Sequence, residues 1–361
     1  MAGTSTATTS TATTRRDRFL HLWAGPNLPA LVITIIIAIM GSLFVLSYSL
    51  AMANPTPRDV PIGIVDDPAT IAEVTSTLDS RYPGMFTVDR FDSTPAALDA
   101  LDHQRIYAVG VRDSPTTATL TLSSASGDSI ARAIEQTVPD LEQQLGVTFT
   151  VHDAHPLSDR DPSGLVIFYL AIAASIVGFV GAIQTRVNAQ GLTLRGELMW
   201  DLIRSAVTAL AVATVVGPIM RFETFPVLPV WLVLAATMFI GGMVYSFWRV
   251  TIGARWALLP TWLMFVVVSN PSSGAAVAPQ LLPPFYEFMG RWLPIGATVR
   301  LLRDLAYFPD AVHPEPIVVL CIWLVVATTA FVVARIIRQG TGSSEPPKAP
   351  DPTPAIAEES T

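Results

Sequence analysis

Leu28 to Ala51 (LPALVITIIIAIMGSLFVLSYSLA) carries no charged side chain, and this run limits the fold more than any other feature. A bilayer core about 30 Å thick is crossed by about 20 apolar residues in a helix. Further runs follow at Gly164–Ile183, Leu202–Met220, Leu228–Trp248 and Ile317–Ile337, with a shorter one at Trp256–Asn270 that runs into Pro271. The pattern predicts six membrane-spanning helices, the fifth the least regular. Arg15, Arg16 and Arg18 precede the first run and Ala51-Met52-Ala53 resembles a signal-peptide cleavage site. The run is nevertheless longer than the roughly 7–15 apolar residues of a signal peptide, so it is read as an anchor.

Composition agrees. Apolar residues make up 51% of the chain and charged residues 14%, with a mean hydropathy of +0.48, where soluble domains carry about a quarter charged residues. The formal charge of −7, without a clustered basic face, argues against nucleic acid as a partner. A single cysteine, Cys321, excludes an intramolecular disulfide framework and a cysteine-cluster metal site.

Arginines near the span ends set the expected orientation. With the amino terminus inside, Arg15, Arg16, Arg18, Arg186, Arg195, Arg249, Arg255, Arg335, Arg338 and Lys348 fall on the cytoplasmic side. Arg221, Arg291, Arg300 and Arg303 fall outside. Both termini are therefore expected to be cytoplasmic, in a multi-pass protein of a bacterial-type plasma membrane.

Pro55 to Ser163 holds no membrane-length run and reads as an α/β unit. Strands are expected at Val60–Val65, Phe86–Phe91, Ile106–Val111, Ala118–Leu122 and Val147–Val151 from β-branched content. Asp67-Pro68 marks a capped helix start, Thr94 is the expected cap of a second helix, and Asp128 or Ser129 that of a third running to Leu145. Such alternation implies a small sheet with helices packed on it. This segment holds 7 arginines and 17 acidic residues, a net of −10, which leaves +3 for the rest of the chain.

The expected architecture is a polytopic α-helical membrane protein with six transmembrane helices and an inserted extracytoplasmic α/β domain. Residues 1–27 form a cytoplasmic tail with an interfacial segment, and 28–52 the first span. Residues 55–163 form the α/β domain, and 164–338 a five-span membrane domain with a re-entrant or interfacial hairpin near 270–312. Residues 339–361 form a disordered cytoplasmic tail.

Chemistry is mostly excluded. A phosphate-binding loop of the GxxxxGK[ST] kind needs a lysine, and the only lysine, Lys348, lies in a Pro/Glu/Ala tail. No GxSxG nucleophile elbow occurs. His152 and His155 point to opposite faces of a strand and lack a third ligand nearby in sequence, so they read as an ordinary strand end. No catalytic residue, cofactor or metal is expected. Ion-coupled carriers place ionisable groups in the bilayer, and none lies near the middle of any run. Asp201 and Arg204 sit one turn apart, spaced to pair. Ala174, Gly178 and Ala182 form a small-residue seam, suited to a subunit interface or to packing within the bundle.

The segment after the fifth run is the most informative. Asn270-Pro271-Ser272-Ser273-Gly274 breaks a helix, and non-helical backbone at membrane depth needs protein or water to satisfy it. Aromatic residues then interleave with Glu287, Arg291, Arg300 and Arg303, a composition suited to interfacial helices. Together with Pro294, the residues Asn270, Pro271, Ser272, Ser273, Gly274, Arg300 and Arg303 form a candidate re-entrant or substrate path.

The series Asn-Pro-Ser-Ser-Gly (270–274), Leu-Leu-Pro-Pro-Phe (281–285), Leu-Pro-Ile-Gly-Ala (293–297) and Arg303…Tyr307-Phe308, with Ile64-Val65-Asp66-Asp67 and Tyr107-Ala108-Val109-Gly110-Val111, resembles the ABC-2-type membrane proteins. Within them it is most similar to the phage-infection-protein-like (YhgE/Pip, DUF3533) branch, over about residues 15–338. The α/β domain is shorter than the coiled insertions of some members. The resemblance implies a permease-like or assembly-type subunit without catalytic residues, homodimeric in that branch's manner. It also implies that the loop containing Arg186, Arg195, Glu197 and Asp201 meets a separate ATPase, and that Arg15–Trp23 forms an interfacial helix. The expected function is an ABC-2-like export permease subunit in the lipid bilayer, moving an apolar or amphipathic substrate. The alternatives are a non-transporting scaffold or receptor and an ion-coupled carrier.

Overall fold

The computed structural model describes residues 27–222 and 225–343. The expected interfacial segment at Arg15–Trp23 and most of both tails lie outside them. Helix α1 (Asn27–Met52) belongs mostly to a compact unit of its own, residues 1–49; the remainder of the chain, from Leu50, forms the second. At about 1.5 Å per residue, its 26 residues reach about 39 Å, enough to cross a bilayer.

The second unit begins with the α/β domain. Its strands are β1 (Val60–Val65), β2 (Phe86–Arg90), β3 (Ala108–Ser114), β4 (Thr117–Leu122) and β5 (Thr148–Asp153), in the sheet order β2-β1-β3-β4-β5. β1 pairs in parallel with β2 and β3, β3 is antiparallel to β4, and β4 is parallel to β5. β1 therefore lies inside the sheet, which suits its apolar sequence VPIGIV. A Cβ at Gly63 would come within 2.8 Å of Ile106 Cδ1 and 2.9 Å of Phe91 Cε2, so glycine lets those side chains cover the strand.

Three helices pack against this sheet: α2 (Pro68–Arg81), α3 (Thr94–Asp102) and α4 (Asp128–Leu145). Asp67 caps α2, accepting from Ala69 N at 2.9 Å and Thr70 N at 3.2 Å. Two expected caps are displaced. Ser93, not Thr94, accepts from Ala96 N at 3.4 Å, because Thr94-Pro95 already occupies the first turn, where proline is tolerated. Gly127 occupies the cap position of α4 without a side-chain bond. Ser129 Oγ instead accepts from Ala278 N at 3.1 Å.

Four more long apolar helices follow: α5 (Leu165–Asn188), α6 (Leu194–Thr214), α7 (Val227–Ile252) and α11 (Pro314–Gln339). α6 continues through a wide turn, Val215–Ile219, that contains Pro218. With α1, five helices among the described residues are long and apolar enough to cross a membrane. The shorter run yields only α8 (Leu258–Trp262), prolonged by wider turns through Ser269. These residues reach about 18 Å as a helix, short of a 30 Å core. Two short helices follow, α9 (Pro284–Trp292) and α10 (Pro294–Tyr307). α7 is the most enclosed, packed by α5, α6, α10 and α11. The seam Ala174, Gly178 and Ala182 is spent here, within the chain. A Cβ at Gly178 would lie 2.8 Å from the Met238 carbonyl oxygen of α7.

The α/β domain is bonded to the segments around α9 and α10. Arg58 donates to the Leu282 carbonyl, and Tyr107 Oη to Gln280 Oε1 at 2.8 Å. Gln104 Nε2 donates to Asp304 Oδ1 at 2.8 Å, while His313 N donates to Oδ2 of the same carboxylate at 2.9 Å. Asp304 is thus a buried node shared by the domain, α10 and the start of α11. His155 lies beyond β5, 2.9 Å from Asp102 and with its ring tilted against Phe308, so it serves this junction.

Candidate functional site

Pro271 ends the wide-turned helix after Ser269, because proline lacks an N–H and crowds the preceding turn. Asn270 N still reaches Phe265 O at 3.1 Å, and Ser273 N folds back to Asn270 O at 3.1 Å. Gly274 then turns with φ of +75°, a conformation that glycine adopts at least cost. Arg303 Nη2 donates to the Gly274 carbonyl at 2.8 Å and pins the turn from α10. A Cβ on Gly290 would overlap the Ser272 carbonyl, so α9 can lie on the turn only because that residue is glycine.

These contacts floor an open cavity of about 340 Å³. Ser272 and Ser273 line it from the turn, Glu287, Phe288 and Arg291 from α9, Arg300 from α10 and Glu315 from α11. Arg291 Nε donates to Glu315 Oε1 at 2.9 Å, and Arg300 Nη2 to the Arg291 carbonyl at 2.8 Å. Of the eight candidate path residues, Ser272, Ser273 and Arg300 meet in this cavity. Gly274 and Arg303 line a smaller neighbouring void beneath the α/β domain. Asn270 and Pro271 are buried in the helical core, and Pro294 opens α10. Glu315 was invisible to sequence reasoning, since only the fold brings the start of α11 beside α9.

Behind the break runs a buried polar seam. Asn270 Nδ2 reaches Ser175 Oγ of α5 at 3.5 Å, and the hydroxyls of Thr237 on α7 and Thr298 on α10 meet at 2.7 Å. Ser205 Oγ, Ser269 Oγ and Asn270 Oδ1 are buried without a hydrogen-bond partner among the described residues. Buried polar groups are normally satisfied, so these three mark positions for water or another polar group.

At the far end of the bundle the polar residues are ionic. Arg186 Nη2 lies 2.5 Å from Asp201 Oδ2, and Arg204 Nη2 3.3 Å from Asp201 Oδ1, the pairing expected from their spacing. Glu197 is shared: Arg249 Nη2 lies at 2.8 Å, Arg186 Nε at 3.4 Å and Arg335 Nε at 3.5 Å. Arg335, fully buried, also donates to the carbonyls of Gly340 and Gly342 at 2.7 and 3.0 Å. Four guanidinium groups thus surround two carboxylates, and Arg186 Nη1 has no partner among the described residues.

Arg204 fits because of two glycines. A Cβ at Gly242 would lie 2.9 Å from its Nη2, and one at Gly181 would overlap Nη1. Of the four candidate ATPase-contact residues, Arg186, Glu197 and Asp201 are consumed in this buried cluster, and Arg195 alone is exposed. In sequence, Arg249 and Arg335 count only among the basic residues expected on the cytoplasmic side. Only the i, i+4 spacing of Glu197 and Asp201, which shares a helix face, hinted at a common site.

Among the described residues no group of three or more His, Cys, Asp or Glu side chains is arranged to hold a metal ion. Residues 111–329, more than half of the chain, match the family described as "Protein of unknown function (DUF3533)". No curated protein and no solved structure matches the chain.

Proposed function

The chain belongs to the DUF3533 family, and we propose that it works as an ABC-2-like permease subunit, moving an amphipathic substrate through a plasma membrane with a separate ATPase. The observation that supports this reading is a set of buried polar groups between the ionic cluster and the cavity at Ser272: Ser205, one turn beyond Asp201 on α6, and Ser175, bonded to Asn270 beside the break. Ser175 and Arg186 are eleven residues apart on α5, about 16 Å of helix. A bundle that only anchors or dimerises has no use for orphaned hydroxyls and an amide along that depth, since each costs about 1–3 kcal/mol.

In this reading α8 and the turn after it act as a sixth, re-entrant segment. The arginine-rich end with Arg186, Arg195, Arg249, Arg255, Arg335 and Arg338 faces the cytoplasm, and the α/β domain faces outward. Two copies form the permease. Arg195 and the exposed Met199 and Trp200 offer the ATPase a surface, while Glu197 and Asp201 sit behind it.

The test uses the full chain with Cys321 replaced by serine and single cysteines introduced at Ser175, Ser205 or Asn270. A hydrophilic thiol reagent is expected to label them in native membranes when ATP is supplied, and an affinity-tagged chain to recover a nucleotide-binding subunit. Three results together would overturn the proposal in favour of a scaffold: labelling only after denaturation, no ATPase recovered, and unchanged retention of amphipathic dyes on deletion.

A further inference from the structure

We infer that the cavity between the broken turn, α9 and α10 binds the head of a phosphodiester carrying a primary ammonium, supplied by a phospholipid of the bilayer. The inference rests on reading the chain as a membrane subunit and names the class of amphiphile it would take.

The cavity carries charges of both signs in equal number, Glu287 and Glu315 against Arg291 and Arg300. A simple anion or cation would meet repulsion from half of that lining. A zwitterion can match both halves. Arg291 and Glu315 already satisfy one another at 2.9 Å. Arg300 uses only Nη2, on a backbone carbonyl, and the exposed Glu287 carboxylate has no hydrogen-bond or ion-pair partner among the described residues. A guanidinium presenting its remaining N–H groups suits two phosphate oxygens, and the Glu287 carboxylate suits an ammonium.

Two further observations narrow the ligand. Quaternary ammonium groups are typically held by aromatic cages, whereas Phe288 is the single aromatic side chain lining this cavity. A primary ammonium, which donates hydrogen bonds to a carboxylate and to the Ser272 and Ser273 hydroxyls, fits better. Secondly, Phe285, Phe288 and Trp292 are 54%, 59% and 50% exposed, and their three- and four-residue spacing puts them on one face of α9. That face suits a membrane interface, with acyl chains beside the cavity mouth.

The test is native mass spectrometry of the purified full chain, released from nanodiscs of phosphatidylcholine containing equal minor fractions of phosphatidylethanolamine and phosphatidylglycerol. Phosphatidylethanolamine is expected to be retained about tenfold over either, and Glu287→Gln or Arg300→Gln to remove that preference, as befits loss of one charge-assisted bond. Arg300→Lys, which keeps the charge without the fork, should retain part of it and guards against misfolding as the cause. Soluble glycerophosphoethanolamine forms the second arm. Displacement of the lipid only by millimolar concentrations supports the bilayer as the source, and displacement at micromolar concentrations overturns that part. Equal retention of all three lipids, or a preference untouched by both Gln variants, overturns the assignment. No ATPase is present, so failure of the transport reading leaves this result standing, and the reverse holds as well.

Discussion

Replacing Gly181 with alanine should destabilise the bundle through one side chain more than ten residues away in sequence. The new methyl carbon would overlap Arg204 Nη1 and come within 3.0 Å of its Cδ and Cζ. α5 cannot yield easily, since Gly178, one turn earlier, already lies against the backbone of Met238. Arg204 must therefore swing away, losing its 3.3 Å pairing with Asp201 and its 3.4 Å bond to the Val177 carbonyl. Asp201 keeps Arg186 at 2.5 Å, so the carboxylate is not orphaned. The cost is then that of overpacking and of the two bonds Arg204 gives up, without the further penalty of an unpaired carboxylate, about 2 kcal/mol. That corresponds to a fall of about 5 °C in the melting temperature. The assay is thermal unfolding in detergent, followed by tryptophan fluorescence, over the four corners of a double-mutant cycle. In an Arg204→Ala background the same methyl group meets open space, and Gly181→Ala should cost less than about 0.5 kcal/mol. An equal loss in both backgrounds would refute the argument that the glycine exists to seat this guanidinium.

Other outcomes follow from the same geometry. Glu197→Ala removes a carboxylate shared by Arg186, Arg249 and Arg335 and should cost about 3–5 kcal/mol, against less than about 0.5 kcal/mol for the exposed Arg195→Ala; both are read by thermal unfolding. Asp304→Ala strands Gln104 and the His313 amide, costs about 2 kcal/mol, and should speed tryptic cleavage at Arg105 in limited proteolysis. The Thr70 hydroxyl, with the Thr70 and Ala69 amides, holds the Asp67 carboxyl below the usual aspartate range. The stabilisation it lends α2 is therefore present above the ordinary aspartate pKa and lost as pH falls through the lowered value. Hydrogen-exchange protection of the Ala69 and Thr70 amides, corrected for the intrinsic pH dependence of exchange, should fall as pH drops below the ordinary aspartate value of about 4, and Asp67→Asn should remove that dependence.

The α/β domain was largely legible because its signals are local. A β-branched run such as Val60–Val65, or Asp67 before Pro68, acts within a few residues of itself. The caps erred by one position where two candidate side chains adjoin, as at Ser93 and Thr94. Apolar length located the long helices, and Pro271 marked the break. The ionic cluster was only half legible. Arg186, Arg249 and Arg335 lie on three separate helices, and nothing in their spacing says that they converge on Glu197. The pairing of Asp201 with Arg204, one turn apart, was readable for the opposite reason.

Asp304 has a mechanical consequence. It is gripped by Gln104 from the α/β domain and by His313 ahead of α11, and the other end of its helix abuts α9, where a Cβ on Gly296 would overlap the Gly290 carbonyl. Close-packed interiors compress little and pass strain along. A load applied to the α3–β3 turn would therefore travel down α10 as along a strut and arrive at the wall formed by Gly290 and Ser272, instead of dissipating in the loops between them.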